Sequence, residues 1–467
     1  MADFRINASD NVAVVMDEGG VGEIPFGHKR ALVDIKSGEN VIKYGFPIGR
    51  AVADIAAGEH IHVHNIKTNL SGVLDYEYKP ISSGSAVEKS DLTFMGFRRK
   101  DGSVGIRNEV WIVNTVGCVN KIAERIAAEV PGTFTFSHPY GCSQLGEDHG
   151  FTQTILRGLV NHPNAGGVLV LGLGCENNNL AEFKRVLGDY DEERVRFLNS
   201  QDVDDEIAAG VAIVRELRAF ANGFNREPVP LGELVIGLKC GGSDALSGIT
   251  ANPLVGRLSD KIIASGGSCL LTEVPEMFGA ETLLMDRCVD KKIFDKTVNL
   301  INNFKGYFIR HNQEVYENPS PGNKDGGITT LEEKSLGCTQ KGGESKVVDV
   351  LAYGERVKVP GLSLLDGPGN DIVAVTNLTA VGAHMVLFTT GRGTPLGGPV
   401  PTVKVASNRN LAHVKANWID FNADKEDLAA LDAEFLRLIV EVASGREVKN
   451  EVNGYREIAI FKDGVTL

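Results

Sequence analysis

Beyond about residue 96 the chain alternates short apolar runs with segments whose apolar positions recur every three or four residues. Val110–Val116 is a β-rich run, and behind it Ile122, Ala123, Ile126, Ala127 and Val130 fall on one helical face. Gly166–Gly172 reads as a buried strand, followed by Leu180, Phe183 and Leu187 at helical spacing. The alternation continues through a strand at Val195–Leu198 with a helix over Asp202–Phe224, and a strand at Leu234–Leu238 with a helix over Pro253–Ala264. A strand at Cys269–Thr272, a helix at Asp371–Val381 and a strand at His384–Thr389 complete it. Repeated βα units predict parallel sheets with right-handed crossovers.

Residues 1 to about 72 follow another rhythm. Short β-like runs at Val12–Val15, Ala31–Ile35, Asn40–Ile42 and His60–His64 alternate with glycine turns, the pattern of a small all-β module. The polar stretch Asp75–Asp91, with Pro80 and Ser82-Ser83-Gly84-Ser85, has no period and predicts an extended linker.

Composition narrows the function. The net charge is −13, without a cluster of Lys and Arg, which argues against general nucleic-acid binding. No apolar stretch reaches the ~20 residues of a membrane helix, and Met1–Ile6 lacks the start of a secretory signal, so we expect a cytoplasmic protein. Seven widely spread cysteines in 467 residues predict free thiols rather than a disulfide framework. Glycine is the oddity: 54 residues, well above the usual ~7%. Without collagen-like periodicity, these glycines must serve sharp turns and close backbone approaches.

Several of those glycines flank cysteines near predicted strand ends, where ligands bind in open α/β sheets. They include Gly117-Cys118, Gly141-Cys142, Gly174-Cys175, Cys240-Gly241 and Gly337-Cys338. Thiolates suit iron or zinc, yet no Cys-x-x-Cys occurs, so any metal site must be assembled from distant segments. Buried small hydrophobes are the plainer role for each cysteine. His60, His62 and His64 at alternate positions share one strand face, a geometry for a metal or for proton transfer; a solvated strand edge is the alternative. Glu273 and Glu276 follow a strand and offer metal ligation, proton transfer or helix capping. Gly172-Leu173-Gly174 lacks the third glycine of a dinucleotide fingerprint, and no phosphate-binding loop motif occurs, so no nucleotide is expected. The polar loop Asn318–Thr330 and Arg392 between two glycines suit a polyhydroxylated carboxylate; ordinary turns that need no ligand are the alternative.

These stretches together resemble the altronate/galactarate dehydratase family of sugar-acid dehydratases, whose relatives include sulfolactate sulfo-lyase. The matching motifs include Asp54–Asn65, Val104–Glu109, Tyr140–Gln144, Gly172–Asn178, Cys240–Asp244 with Ser247–Pro253, Thr272–Glu281, Asn318–Leu336, Pro368–Asp371 and Phe388–Pro395. They span almost the whole chain. Departures from the family pattern fall at Pro139, Lys239, Asp325 and Asn422-Ala423-Asp424. The resemblance implies a β-clip (SAF-like) module at 1–72, a linker at 73–95, an α/β middle domain at 96–228 used for dimerisation, and a Rossmann-like catalytic domain at 229–467. It also implies ferrous iron, Mn2+ or another divalent metal, with no nucleotide.

The implied reaction dehydrates D-altronate to 2-dehydro-3-deoxy-D-gluconate in hexuronate (galacturonate) catabolism, by a cytoplasmic homodimer. His62 and His64 are then the candidate acid and base. Cys175, Cys240, Cys338 and Glu276 are the candidate metal ligands. Asn65, Lys67, Ser243, Asp244, Asn252, Lys324, Thr330 and Arg392 are the candidate substrate-binding residues. A related aldonate or aldarate such as galactarate is the alternative substrate. A non-catalytic sugar-acid-binding protein on the same scaffold is the alternative of another class.

Overall fold

In the N-terminal module two small antiparallel sheets pack apolar faces together. One has strands Val12–Val14, Lys29–Ala31 and His60–Ile61; the other has Asn40–Lys43, Phe46–Ala51 and Ile66–Lys67. The computed structural model of the chain describes residues 3–17, 19, 20, 22, 24–81 and 87–467, so the Ser82–Ser85 part of the predicted linker lies outside the described residues. Val12, Ile35, Val41, Ile48, Ile55, Ile61 and Ile66 form the module's core, and Ala280 and Leu336 of the C-terminal domain join it. The module therefore shares apolar packing with its neighbour. The predicted strand His60–His64 stops at Ile61 because Asn65 folds the chain back, accepting from the His62 N–H at 3.0 Å and donating to the His60 carbonyl at 2.9 Å.

The middle domain carries a four-stranded parallel sheet in the order Thr133–Thr135, Glu109–Asn114, Ala165–Gly172, Val195–Asn199. Its two central strands are buried along their whole length, which is why they read as continuous apolar runs. Helices Asn120–Glu129, Gly146–Val160, Leu180–Leu187 and Glu206–Ala221 cover it. The last is shorter than the predicted Asp202–Phe224, because Ser200–Asp202 is a separate short turn and Asp205 caps the helix by accepting from the Ala208 N–H.

Strand Thr93–Arg98 crosses the predicted linker–middle domain boundary and pairs antiparallel with Arg226–Pro230. The two ends of the middle domain thus meet, and Phe94 and Val229 pack into the C-terminal core. The preceding arm is held too: Tyr76 packs on that core, and Tyr78 donates to the Cys288 carbonyl at 2.7 Å.

The C-terminal domain is built on a seven-stranded parallel sheet. Its spatial order is Val347–Leu351, Gly361–Leu365, Ser268–Leu271, Val235–Cys240, Met385–Thr390, Thr402–Ala406 and Phe421–Asn422. The first strand in sequence, Val235–Cys240, sits in the middle. The chain winds outward from it in one direction and later in the other, so a crevice opens at its carboxyl end beside Met385–Thr390. That is the topological position at which doubly wound sheets bind ligands.

Candidate active site

Cys240 is the last residue of that central strand. Glu276 comes from the turn after the neighbouring strand Ser268–Leu271, and Cys338 ends helix Leu331–Cys338, whose start is capped by Thr330. The Cys240 and Cys338 sulfurs lie 3.2 Å apart, at 3.1 and 3.2 Å from Glu276 Oε2. All three side chains are buried, and among the described residues theirs is the group whose ligand atoms come within 4.8 Å of one another. Two thiols and a carboxylate fit a divalent transition metal of intermediate softness.

Three buried lysines surround this group. Lys334 Nζ lies 2.8 Å from Glu276 Oε1, Lys341 lies 3.2 Å from Glu273 Oε2, and Lys239 pairs with Glu273 and, at 2.9 Å, with Asp371. Burial opposes ionisation of Glu276, but Lys334, Lys239 and Lys341 more than offset it and hold its carboxyl well below the usual range. Burial and the adjacent Glu276 push Glu273 up instead. The Cys338 thiol is pushed up by its hydrogen bond with Cys240 and by burial. Three ammonium groups, Lys239, Lys334 and Lys341, thus face the three carboxyl groups of Glu273, Glu276 and Asp371. A dication would offset the two charges left when both thiols ionise.

Glu273 supports this arrangement from a costly backbone. It adopts the left-handed conformation at φ 69° and ψ 56°, which for a non-glycine residue costs about 1–3 kcal/mol. In return its Oε2 accepts from the Cys240 N–H at 3.1 Å, and its carboxylate receives Lys239 and Lys341.

A cavity of about 530 Å³ opens over Cys240 and Glu276, walled by Asn318, Lys324, Lys334 and Asp371. Lys324 links it to the N-terminal module, where His28, His60, His62 and His64 cluster with ring centroids 5.1–5.8 Å apart. His62 Nε2 lies 2.9 Å from the Lys324 carbonyl, and His28 Nε2 lies 3.3 Å from that of Asp325. A carbonyl only accepts, so both Nε2 atoms carry hydrogen and both Nδ1 atoms are acceptors. His28 Nδ1 receives His60 Nε2 at 3.0 Å. Burial lowers the pKa values of His28 and His62, and burial with the neighbouring imidazoles takes His60 down to about 4. All three rings are neutral near pH 7.

A larger cavity of about 730 Å³ lies between helices Ala251–Ala264 and Leu428–Ala443, and no cysteine or histidine lines it.

Comparison with known proteins identifies the family. Three family profiles match in sequence along the chain: the altronate/galactarate dehydratase SAF domain at residues 20–69, the D-galactarate dehydratase/altronate hydrolase second domain at 96–222, and the D-galactarate/altronate dehydratase C-terminal domain at 231–466. Altronate dehydratase of Escherichia coli (strain K12) is 55% identical, with 99% of each chain covered. That of Bacillus subtilis (strain 168) is 54% identical, again over 99% of each. The chain belongs to the altronate/galactarate dehydratase family. Galactarate dehydratase (L-threo-forming) of E. coli is more distant, at 31% identity over 98% of this chain and 96% of its own.

In this dehydratase the sequence-predicted residues divide into those at the cavity and those absorbed by the framework. Cys240, Cys338, Glu276 and Lys324 converge at the cavity, while His62 and His64 stay on the N-terminal module, His62 touching the cavity wall only through the Lys324 carbonyl. Arg392 is exposed and stands beside Gly242 of the cavity wall, its N–H donating to the Gly242 carbonyl at 2.9 Å. Ser243 is buried with its hydroxyl unpartnered. Cys175 does not join Cys240: it is exposed on the middle domain's sheet. Asn65 is buried, its amide spent on its own turn. Lys67 is exposed and is not among the cavity-lining residues. Asn252 is also buried, donating to the Gly337 carbonyl at 3.0 Å and accepting from Thr389 at 2.6 Å. Asp244 braces a loop through Ser247, Ser407 and Asn408, and Thr330 caps its helix.

The residues that sequence reasoning missed are His28, Lys334 and the charge partner Lys341. Lys334 stands four residues before Cys338 on one helix, so the two share a face. That spacing was the available signal. His28 offered none, because its strand neighbours are brought to it only by folding.

Proposed function

We propose that the protein is a metal-dependent hydro-lyase that dehydrates D-altronate to 2-dehydro-3-deoxy-D-gluconate. The observation carrying this reading is the full-length similarity to altronate dehydratases at 55% identity. The charged cavity over Cys240 and Glu276, with the neutral His62 imidazole held on the carbonyl of its wall residue Lys324, supports the reading chemically. The substrate must lose the weakly acidic proton at C2 and the hydroxyl at C3, after which the enol becomes the ketone.

Cys240, Cys338 and Glu276 would hold ferrous iron or another divalent ion, which when bound supplies electrophilic stabilisation of charge on the substrate's carboxylate and 2-hydroxyl oxygens. Lys324 and Lys334 attract the anionic end of the sugar acid, with Arg392 at the rim. The Asn318 amide and the Ser243 hydroxyl offer hydrogen bonds to substrate hydroxyls. His62, neutral with its Nε2 hydrogen fixed on the Lys324 carbonyl, presents Nδ1 as an acceptor for the C2 proton. His64 is assigned to return a proton to the leaving hydroxyl. The assembly is assigned as a cytoplasmic homodimer; among the described residues no helix is long and apolar enough to cross a membrane.

Iron-loaded enzyme under anaerobic conditions should release a 2-keto product from D-altronate faster than from galactarate, mannonate or sulfolactate. Cys240→Ala and His62→Ala should each lower kcat/KM by at least about 100-fold. Faster turnover of galactarate would transfer the assignment to the aldarate substrate, and full activity after chelation would remove the metal from it.

A further inference from the structure

Three thiols remain outside the centre just described. Cys118, Cys142 and Cys175 are all exposed, and each follows a glycine. They stand beyond the carboxyl ends of three adjacent strands of the middle domain's sheet: Thr133–Thr135 leads toward Cys142, Glu109–Asn114 to Cys118, and Ala165–Gly172 to Cys175. The remaining cysteines, Cys240, Cys269, Cys288 and Cys338, are buried.

The three loops are tied together. The Gly117 N–H donates to the Tyr140 carbonyl at 2.8 Å, and the Asn178 N–H donates to the Gly141 carbonyl at 2.9 Å. The Ser143 N–H donates to Asn177 Oδ1 at 2.9 Å, and the Thr115 hydroxyl donates to Glu176 Oε1 at 2.7 Å. Gly141, at φ +99°, is required by this interlock: a Cβ there would stand 2.0 Å from the Thr115 carbonyl oxygen. Sequence thus provides a fixed crown of three thiols rather than three independent surface cysteines.

Two further features accompany the crown. Each loop runs into the start of a helix of eight residues or more, Asn120–Glu129, Gly146–Val160 and Leu180–Leu187. The first turns of Asn120–Glu129 and Gly146–Val160 have no side-chain cap, so their N–H groups and dipoles favour anions at the thiol end, whereas Asn179 caps Leu180–Leu187 by accepting from the Ala181 and Glu182 N–H groups. In addition, Asn114 Oδ1 and Asn199 Oδ1, at the ends of two strands of this sheet, are buried without a hydrogen-bond partner. Among the described residues the sulfurs meet weak polar partners, Gln201 Nε2 at 3.6 Å from Cys175 and Ser143 Oγ at 3.9 Å from Cys142.

The spacing selects the ligand class. One tetrahedral ion with metal–sulfur bonds of about 2.3 Å draws its sulfurs to roughly 4 Å from each other. Among the described residues only Cys240, Glu276 and Cys338 form a set of three within 4.8 Å, so the outer thiols are spread more widely. An iron–sulfur cluster is bulkier, because its ligands bind different irons. We propose that Cys118, Cys142 and Cys175 hold a cubane iron–sulfur cluster through three thiolates, leaving its fourth iron without a protein sulfur. Binding releases the three thiol protons. The open iron faces solvent, where an oxygen of water or of a hydroxylated ligand completes it. This site does not depend on the dehydratase reading.

The test uses the full chain, reconstituted anaerobically with equal ferrous and ferric iron and with sulfide. The wild type should retain about four acid-labile sulfides per chain and a broad sulfide-to-iron charge-transfer band in the visible. Cys118→Ser, Cys142→Ser and Cys175→Ser should each lower bound sulfide by more than about tenfold while far-UV circular dichroism and Tm stay near wild type. Cys240→Ser should keep it. Should one serine variant misfold, the alanine variant at that position and the other two cysteines carry the same reading. Iron without sulfide, sulfide retained by the Cys142→Ser/Cys175→Ser double variant, or equal loss in Cys240→Ser would overturn the proposal.

Discussion

Glu333 joins the N-terminal module to the catalytic domain, and removing its charge should loosen the joint. Its two carboxylate oxygens lie 2.9 Å from Lys29 Nζ and 2.7 Å from Lys43 Nζ, and all three side chains are at most 1% exposed. Burial opposes the carboxylate, yet Lys29 and Lys43 hold its pKa well below the usual value. In Glu333→Gln two buried ammonium groups face each other without an anion. Removing one partner of a buried pair costs about 3–5 kcal/mol. Lys29 limits that cost, since burial has already taken it down to about 8 and it can shed its proton near neutral pH. We therefore expect a loss near the lower end, about 3 kcal/mol. With a urea dependence of about 1–3 kcal/mol/M, the midpoint should fall by roughly 1 M or more. Proteolysis in the arm at residues 73–81 should accelerate in parallel. The apolar replacement Lys29→Met/Lys43→Met/Glu333→Leu should regain most of the loss, because it leaves no charge stranded. A Glu333→Gln unfolding free energy within about 0.5 kcal/mol of wild type would refute this account of how the module is docked.

Two pH responses follow from buried imidazoles. As the proposed proton acceptor His62 must be neutral, and burial keeps its pKa below 6.5, so kcat/KM should stay level as pH falls through 6.5 and decline only below it; half-maximal activity at or above 6.5 would exclude it as the base. His384 is buried, and burial with nearby Arg356 takes it down to about 4, so between pH 6.5 and 4 the unfolded chain binds a proton that the folded chain refuses. Stability contributed by this residue is present above 6.5 and lost as pH falls, by roughly 3 kcal/mol at pH 4 and below. His384→Asn should flatten that part of a Tm-versus-pH curve, and an unchanged slope would count against it.

The buried strands were legible because they are apolar on both faces: Gly166–Gly172 is found as Ala165–Gly172, and Leu234–Leu238 as Val235–Cys240. Helix ends were less so, since Asp205 capping and the turn at Ser200–Asp202 depend on local hydrogen bonds that periodicity does not register. The same reasoning separates the candidate site. A glycine beside a cysteine near a strand end identifies chemistry at a sheet edge, but it does not say which sheet, so Cys175 was grouped with Cys240. Polar residues in the motifs carried a second ambiguity. Asn65, Asn252 and Asp244 have the groups to bind hydroxyls, and the fold uses them instead to hold turns and loops around the cavity. The lysines went unread because their role appears only once three separate segments place them against Glu273 and Glu276.

The arm before the middle domain also constrains the N-terminal module. Tyr76 hydrogen-bonds to Glu281 and to Lys305, at 2.5 and 2.9 Å, and the Ile81 N–H donates to the Asp286 carbonyl at 3.0 Å. A swing of the whole module would have to peel this strap from the catalytic domain and strip Glu333 from two lysines in the same motion. Held at both places, the module keeps His28 and His62 against the Asp325 and Lys324 carbonyls behind the loop that lines the cavity.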